Sequence, residues 1–522
     1  MKSPFKIIDL FAGPGGLGEG FSGYKTKSGD SPFKIALSVE MEQSAHKTLA
    51  LRAFYRQFPE SEVPEEYYQY LAGNMGKSPE DELYKIPHLR SYANKAKDEA
   101  RNLTLGTDNR EIFKSIKKAL GKNTRNWVLI GGPPCQAYSI VGRSRNKGID
   151  GYIAEEDKRN FLYKEYLRVI SKFQPAVFVM ENVKGMLSAK IAGELIFKQI
   201  RNDLRCPSKA LKNSDARVEY EILPLVEPEQ TDLFTLDKIN PKDYLIMSEN
   251  YGIPQTRHRV ILLGVRSDIL KNWNNNFINK TTPPITRTII QDLPKLRSGL
   301  SKETDTCENW VSEILTKSEK LLSQTNKLGL SDVSGCIDQS LERISRADLH
   351  RGVNWSTEKC SGMSKKLDRK FRNWFIDKTG WRGVVNHETK SHIQADLHRY
   401  LFSACYSRVK NGEIPRTKDF PPMLRADHAN WETGHFSDRF RTQASNQVAK
   451  TITSHIAKDG HYYIHYDPAQ CRSLTVREAA RIQTFPDNYF FVGTRTQQYI
   501  QVGNAVPPYL ARQIADIVFS LL

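Results

Sequence analysis

What the chain has little of narrows its identity first. Only seven cysteines occur in 522 residues, an odd number without closely spaced pairs. A framework of structural disulfides is thereby excluded, and a reducing, cytoplasmic setting is expected. Neither Cys-x-x-Cys nor His-x-x-x-His occurs in the His-rich stretch between His350 and His435, so no metal site is expected there. No run is long and apolar enough for a membrane span. The opening Met1-Lys-Ser-Pro-Phe-Lys-Ile-Ile passes directly into strand-like sequence, with no secretory leader expected. No internal repeat is visible. Acidic side chains are the other shortage: 59 Asp plus Glu stand against 77 Lys plus Arg, a net charge of +18. That balance argues for an anionic partner, and without a membrane anchor the expected polyanion is nucleic acid.

Glycine and proline are not scarce, and their placement is informative. An apolar segment, Phe5 to Leu10, ends in Phe11-Ala-Gly-Pro-Gly-Gly-Leu-Gly-Glu-Gly-Phe21. A strand, a Gly-rich turn and a helix start together form a nucleotide-type binding loop. Gly13, Gly15 and Gly18 have the spacing of a dinucleotide fingerprint, but Pro14 interrupts it, and an adenosine cofactor without a pyrophosphate fits at least as well. A second strand, Lys34 to Met41, ends at Glu40, where a carboxylate can grip ribose hydroxyls.

Further on, Trp127-Val-Leu-Ile-Gly-Gly-Pro-Pro-Cys-Gln holds one thiol, Cys135, on a stiff turn at the carboxyl end of a strand. That is a nucleophile's position, although a buried structural cysteine fits the residue alone. The buried-type strand Gln174 to Val183 ends in Glu181-Asn182, and Gln255-Thr-Arg-His-Arg places Arg257 and Arg259 at the start of another strand. Alternation puts the two guanidiniums on one face. Arg472-Ser-Leu-Thr-Val-Arg-Glu-Ala-Ala-Arg-Ile-Gln reads as a Thr-capped helix halted by Pro486, and Gln501-Val-Gly-Asn-Ala-Val-Pro-Pro precedes a last amphipathic helix.

In this order the segments resemble the motifs of bacterial DNA cytosine-5 methyltransferases of the restriction-modification type. The matches are Phe-x-Gly-x-Gly, Pro-Pro-Cys-Gln, Glu-Asn-Val, Gln-x-Arg-x-Arg, Arg-x-Leu-Thr-x-Arg-Glu-x-Ala-Arg-x-Gln and Gly-Asn-x-Val-Pro-Pro. The resemblance implies a doubly wound, mostly parallel α/β sheet, S-adenosylmethionine as methyl donor, and carbon 5 of a cytosine in double-stranded DNA as acceptor. It makes Cys135 the nucleophile that adds to ring carbon 6 and Glu181 the donor at ring nitrogen 3. Asn182 would orient that glutamate, while Arg257 and Arg259 would hold the base carbonyl, Glu181 or a phosphate. Phe11, Gly13, Gly15, Glu40, Met41, Leu162 and Asn504 are the implied cofactor contacts. The cytosine must leave the stacked duplex to be reached. The family's third motif, Gly-Asp-Ile, has two competitors here, Gly73-Asn-Met75 and Gly106-Thr-Asp108.

The chain is expected to divide into a catalytic domain over 1–270, completed by 498–522, and a target-recognition domain with hinge over 271–497. Between Arg351 and Arg441, 18 basic residues face 10 acidic ones, which suits phosphate contacts. His, Arg and Asn side chains there are expected to aim at base edges. The polar, helix-like stretch 300–345 reads as a solvated insertion. The protein is expected to act as a monomer on DNA, with a companion restriction endonuclease as a partner. Two alternatives stay open. A tRNA-methylating relative would make do with a shorter basic region, and a catalytically dead DNA-binding homologue would have no need of intact Cys135, Glu181, Arg257, Arg259 and Asn504.

Overall fold

A computed structural model describes residues 3–122, 125–134, 162–191, 194–212, 218–228, 240–358, 360–376, 383–426, 431 and 438–522. The chain forms two compact units. One comprises residues 1–57, 84–282 and 505–522, and the other 58–83 and 283–504.

The first unit is built on one sheet of eight strands. They are β1 (Phe5–Leu10), β2 (Phe33–Glu40), β3 (Ala100–Asn102), β4 (Trp127–Gly131), β5 (Val177–Val183), β6 (Tyr220–Leu223), β7 (Leu245–Met247) and β8 (His258–Arg266). The order is β3-β2-β1-β4-β5-β8-β6, with β7 also paired to β8. Pairs from β3 through β5 are parallel, while β8 runs antiparallel to its three neighbours. The strands are apolar on both faces because both are covered. Ile8, Leu10, Leu129, Phe178, Met180 and Leu262 pack beneath helices Asn109–Leu120, Leu162–Phe173 and Ile196–Arg205. Ile7, Val128, Ile130, Val179 and Ile261 pack with helix Pro508–Leu521 on the opposite face. The expected doubly wound, mostly parallel α/β sheet is the one formed.

The second unit has only short strands among its described residues. Its core lies between helices Cys307–Leu315, Ser318–Lys327, Ser331–Ser345 and Gln394–Val409. Here the reading of 300–345 as a solvated insertion is corrected. Val333, Cys336, Ile337, Leu341 and Ile344 recur at helical spacing and are buried, as are Trp310, Ile314 and Leu321. Polar residues on the outer faces dilute the average composition and hide that stripe. Each large apolar side chain buried this way contributes roughly 1.5–3 kcal/mol.

Candidate active site

The Gly-rich turn follows β1 and carries three left-handed residues in five: Phe11 (φ 54°), Gly13 (φ 56°) and Gly15 (φ 88°). A non-glycine residue such as Phe11 is rarely held there, and such strain gathers at ligand sites. A Cβ at Gly13 would meet nothing within 4 Å, so the loop is open at that point. The later glycines serve another purpose. A Cβ at Gly16 would lie 2.2 Å from the Val506 carbonyl oxygen, and one at Gly20 would lie 2.4 Å from Ala511 Cβ. Helix Gly16–Ser22 therefore packs backbone-close on the chain's last helix, which only glycine permits.

Glu40 ends β2 and binds this turn: Gly13 N–H donates to Oε2 at 2.8 Å, and Glu42 N–H to Oε1 at 2.8 Å. Burial raises its pKa against the pull of those two N–H groups. Each oxygen keeps a second lone-pair direction for a ligand. Beneath the loop, burial and the neighbouring Glu40 charge hold the Asp9 carboxyl well above the usual carboxylate range. Met41 is 62 % exposed, far more than a core methionine, and Phe11 is half-buried. Leu162 opens helix Leu162–Phe173 and is half-buried. Asn504 is the exposed last residue of helix Arg495–Asn504, in the second unit.

Sequence reasoning missed Asn102. Strand β3 pairs with β2 so that Asn102 faces Glu40, and its Nδ2 donates to the Glu40 carbonyl at 2.9 Å and the Met41 carbonyl at 3.0 Å. The two motif competitors lie elsewhere. Gly73-Asn-Met75 belongs to the second unit, and Asp108 is turned onto Thr104 N–H at 2.7 Å. The signal that could have found it is Arg101-Asn-Leu-Thr104, a polar–apolar–hydroxyl run at the end of a short strand.

The second cluster sits at the carboxyl ends of β4 and β5. Antiparallel register sets Ile261 opposite Glu181 and Arg259 opposite Val183, so Glu181 and Arg259 are diagonal neighbours on one face. Arg259 Nε donates to Glu181 Oε1 at 2.7 Å, with both side chains largely shielded. Asn182 does not orient that carboxylate. Its Nδ2 donates to the Pro133 carbonyl at 3.3 Å and its Oδ1 accepts from Val183 N–H at 2.8 Å, so it ties the Gly-Pro-Pro turn to β5. Arg257 is fully buried, and its carbonyl accepts from Ser248 Oγ at 2.5 Å and N–H at 3.1 Å. Cys135 lies just outside the described residues, one position beyond Pro134. Among the described residues no His, Cys, Asp or Glu cluster suits a metal ion, and no helix is long and apolar enough to cross a membrane.

The histidine expectation in the second unit is corrected for three residues, while His428 and His435 lie outside the described residues. His387, His392 and His398 are buried, and His387 is bonded to Thr475 Oγ1 and the Pro294 carbonyl, both at 2.9 Å. Such side chains hold the interior together and cannot aim at base edges. Helix Val476–Ile482 has the expected Thr475 cap, closed reciprocally by Glu478.

A strained Gly-rich loop beside an acid-ended second strand, on a mostly parallel sheet with an antiparallel β8, is the class I methyltransferase architecture, with a loop suited to a nucleoside-bearing ligand. Comparison with known proteins makes this specific. Residues 89–206 and 240–520 match the family model for C-5 cytosine-specific DNA methylase. The chain is 32% identical to the type II methyltransferase M.Bpa9945I of Bacillus paralicheniformis, over 98% of this chain and 99% of that one. It is 24% identical to the type II methyltransferase M.AgeI of Thalassovita gelatinovora, over 98% and 99% respectively. It is 26% identical to the DNA (cytosine-5-)-methyltransferase M.ApeKI of Aeropyrum pernix, over 76% and 81%. The chain belongs to the C-5 cytosine-specific DNA methylase family and is a DNA (cytosine-5-)-methyltransferase of the restriction-modification kind. Membership implies S-adenosylmethionine as donor and DNA as substrate.

Proposed function

We propose that this enzyme methylates carbon 5 of one cytosine within a specific double-stranded sequence, and that the mark shields host DNA from a companion endonuclease. The observation that carries the reading is the Glu181–Arg259 pair at 2.7 Å beside the turn that leads to Cys135. S-adenosylmethionine, when bound, supplies an electrophilic methyl group. The turn through Gly13 and Gly15, open at Gly13, the Phe11 and Met41 side chains, the Glu40 carboxylate and Leu162 suit an adenosine moiety, and Asn102 fixes the Glu40–Met41 backbone on which it would rest.

Cytosine carbon 5 is too weak a nucleophile to take a methyl group unaided. Cys135 thiolate adds to carbon 6 of a flipped-out cytosine, and the ring electrons become available at carbon 5. Glu181, steered by Arg259, hydrogen-bonds ring nitrogen 3 as charge develops there. Asn182 keeps the Pro133 turn, and with it the thiol's approach, fixed against β5. After transfer a base removes the carbon 5 proton and the thiolate departs. The second unit reads the DNA word, and its exposed Lys365, Lys366, Arg369 and Lys370 suit phosphates. The enzyme works as a monomer in the cytoplasm. Expression in a methylation-free host, followed by bisulfite sequencing of its DNA, tests the reading. One sequence context should become protected at a single cytosine, whereas unmodified DNA would overturn it.

A further inference from the structure

Gly131 and Gly132 read alike in sequence, as a pair that lets the chain bend towards Pro133, but they answer to different neighbours. A Cβ on Gly131 would lie 2.3 Å from the Leu10 carbonyl oxygen, so that glycine is required by close packing of β4 on β1. Gly132 has no left-handed φ, and its backbone does not demand glycine. The three atoms nearest an added Cβ there all belong to Glu181: Oε2 at 2.9 Å, Cβ at 3.9 Å and the carbonyl oxygen at 3.9 Å. Movement of the turn away from Glu181 is opposed by the bond from Asn182 Nδ2 to the Pro133 carbonyl. The carboxylate would have to retreat by about 0.5 Å to reach ordinary contact distance, while its other oxygen is bound to Arg259 Nε at 2.7 Å.

We infer that Gly132 is a positioning residue for methyl transfer: its missing side chain leaves the space that fixes where Glu181 Oε2 lies. Arg259 pulls the carboxylate from one side and the vacancy at Gly132 admits it on the other. This rests on the part proposed for Glu181 above. A misplacement of 1 Å can cost about a hundredfold in rate, so half of that is worth about tenfold.

The test is a double-mutant cycle on the full-length enzyme, measuring kcat for methyl transfer to duplex DNA together with DNA affinity and thermal stability. Gly132→Ala should lower kcat about tenfold with DNA affinity unchanged within twofold. The same change made in Glu181→Ala should alter the residual rate less than twofold, since no carboxylate remains to displace. Gly132→Ser should act in the same direction and more strongly. An equal loss in both backgrounds, or a Gly132→Ala enzyme of full activity, would overturn the inference. So would failure of Gly132→Ala to fold, because only a side chain able to swing stands in the way. If Glu181→Ala itself kept normal turnover, the fault would lie in the part assigned to Glu181, a result separable from the others.

Discussion

The two units differ in what their polar residues are placed to do, although both bury charge: the first holds Asp9, Arg257 and the Arg52–Glu19 pair inside. In the first, the sheet is held by apolar clusters on both faces, and the side chains of interest stand at strand ends: Glu40 after β2, Asn102 after β3, Glu181 and Asn182 on β5, Arg259 on β8. None of its three histidines is buried. The second unit buries charge wholesale. Arg472 makes a two-bond pair with Glu478, each bond 2.7 Å, both side chains almost wholly buried. Arg481 spans Asp292 at 2.5 Å and Asp487 at 2.8 Å, and Arg477 is tied to the carbonyls of Val385, Pro486 and Tyr489. His387, His392, His398, His461 and His465 lie inside. The Arg-rich segment 472–483 is as conspicuous in sequence as the Glu-Asn-Val strand, yet it works as scaffold. A motif announces constraint, and only its neighbours say whether the constraint serves chemistry or the interior.

Substitutions should split along that line. Glu181→Gln is expected to cut kcat by roughly 10²–10⁴, the usual worth of a positioned proton donor, with DNA affinity and melting unchanged. A fall of less than about threefold, in single-turnover assays, would remove Glu181 from the chemistry. Glu478→Ala should act the other way. Leaving Arg472 buried without its partner costs about 3–5 kcal/mol, read as a lowered unfolding midpoint, while the rate per folded molecule stays near normal at low temperature. A change below about 1 kcal/mol would contradict the scaffold assignment.

Acid should expose the same contrast more gently. Burial holds His387 at about 4, His392 at about 3 and His465 at about 4, below the ordinary histidine range. Each is neutral in the fold and takes up a proton on unfolding below about pH 6.5. Their contribution is complete above that pH and is lost as pH falls towards about 4, at up to about 1.4 kcal/mol per pH unit for each histidine. Unfolding curves between pH 7.5 and 5 should show the slope, and His387→Gln should reduce it by about one proton. An unchanged slope would mean that the ring is not held neutral. The smallest effect is expected at Asn102→Ala, which removes two partly exposed hydrogen bonds from the Glu40–Met41 backbone. Affinity for S-adenosylmethionine, measured by calorimetry, should fall about three- to tenfold with kcat little altered.

Much of the first unit was legible because its signals are local. Continuous apolar runs such as Val128 to Ile130 mark strands buried on both faces, and polar residues directly after them mark ligand-facing ends. Phe5 to Leu10 is a strand with the bounds expected. The Glu181–Arg259 contact could not be read, since it depends on the register of two strands whose partners lie 78 residues apart, counting from Glu181 to Arg259. Asn182 turning to Pro133 rather than to Glu181 is likewise a matter of side-chain geometry. In the second unit, a histidine's letter does not say whether it faces water, so His387 and His392 looked like base readers. Nor did sequence separation show that 58–83, lying between Glu40 and Cys135, clusters with residues 283–504.

The central claim is that Cys135 joins the enzyme to its base while Glu181 and Arg259 attend the ring. A fluorine at carbon 5 cannot depart as a proton does, so the adduct should persist once the methyl group has been transferred. Duplex carrying 5-fluorocytosine at the target position, incubated with enzyme and S-adenosylmethionine, should give a complex that survives denaturant. Cys135→Ser should give none, because so little of a serine hydroxyl ionises near neutral pH. A crosslink that persisted in Cys135→Ser, or that mapped to Cys206 or Cys471, would contradict the account.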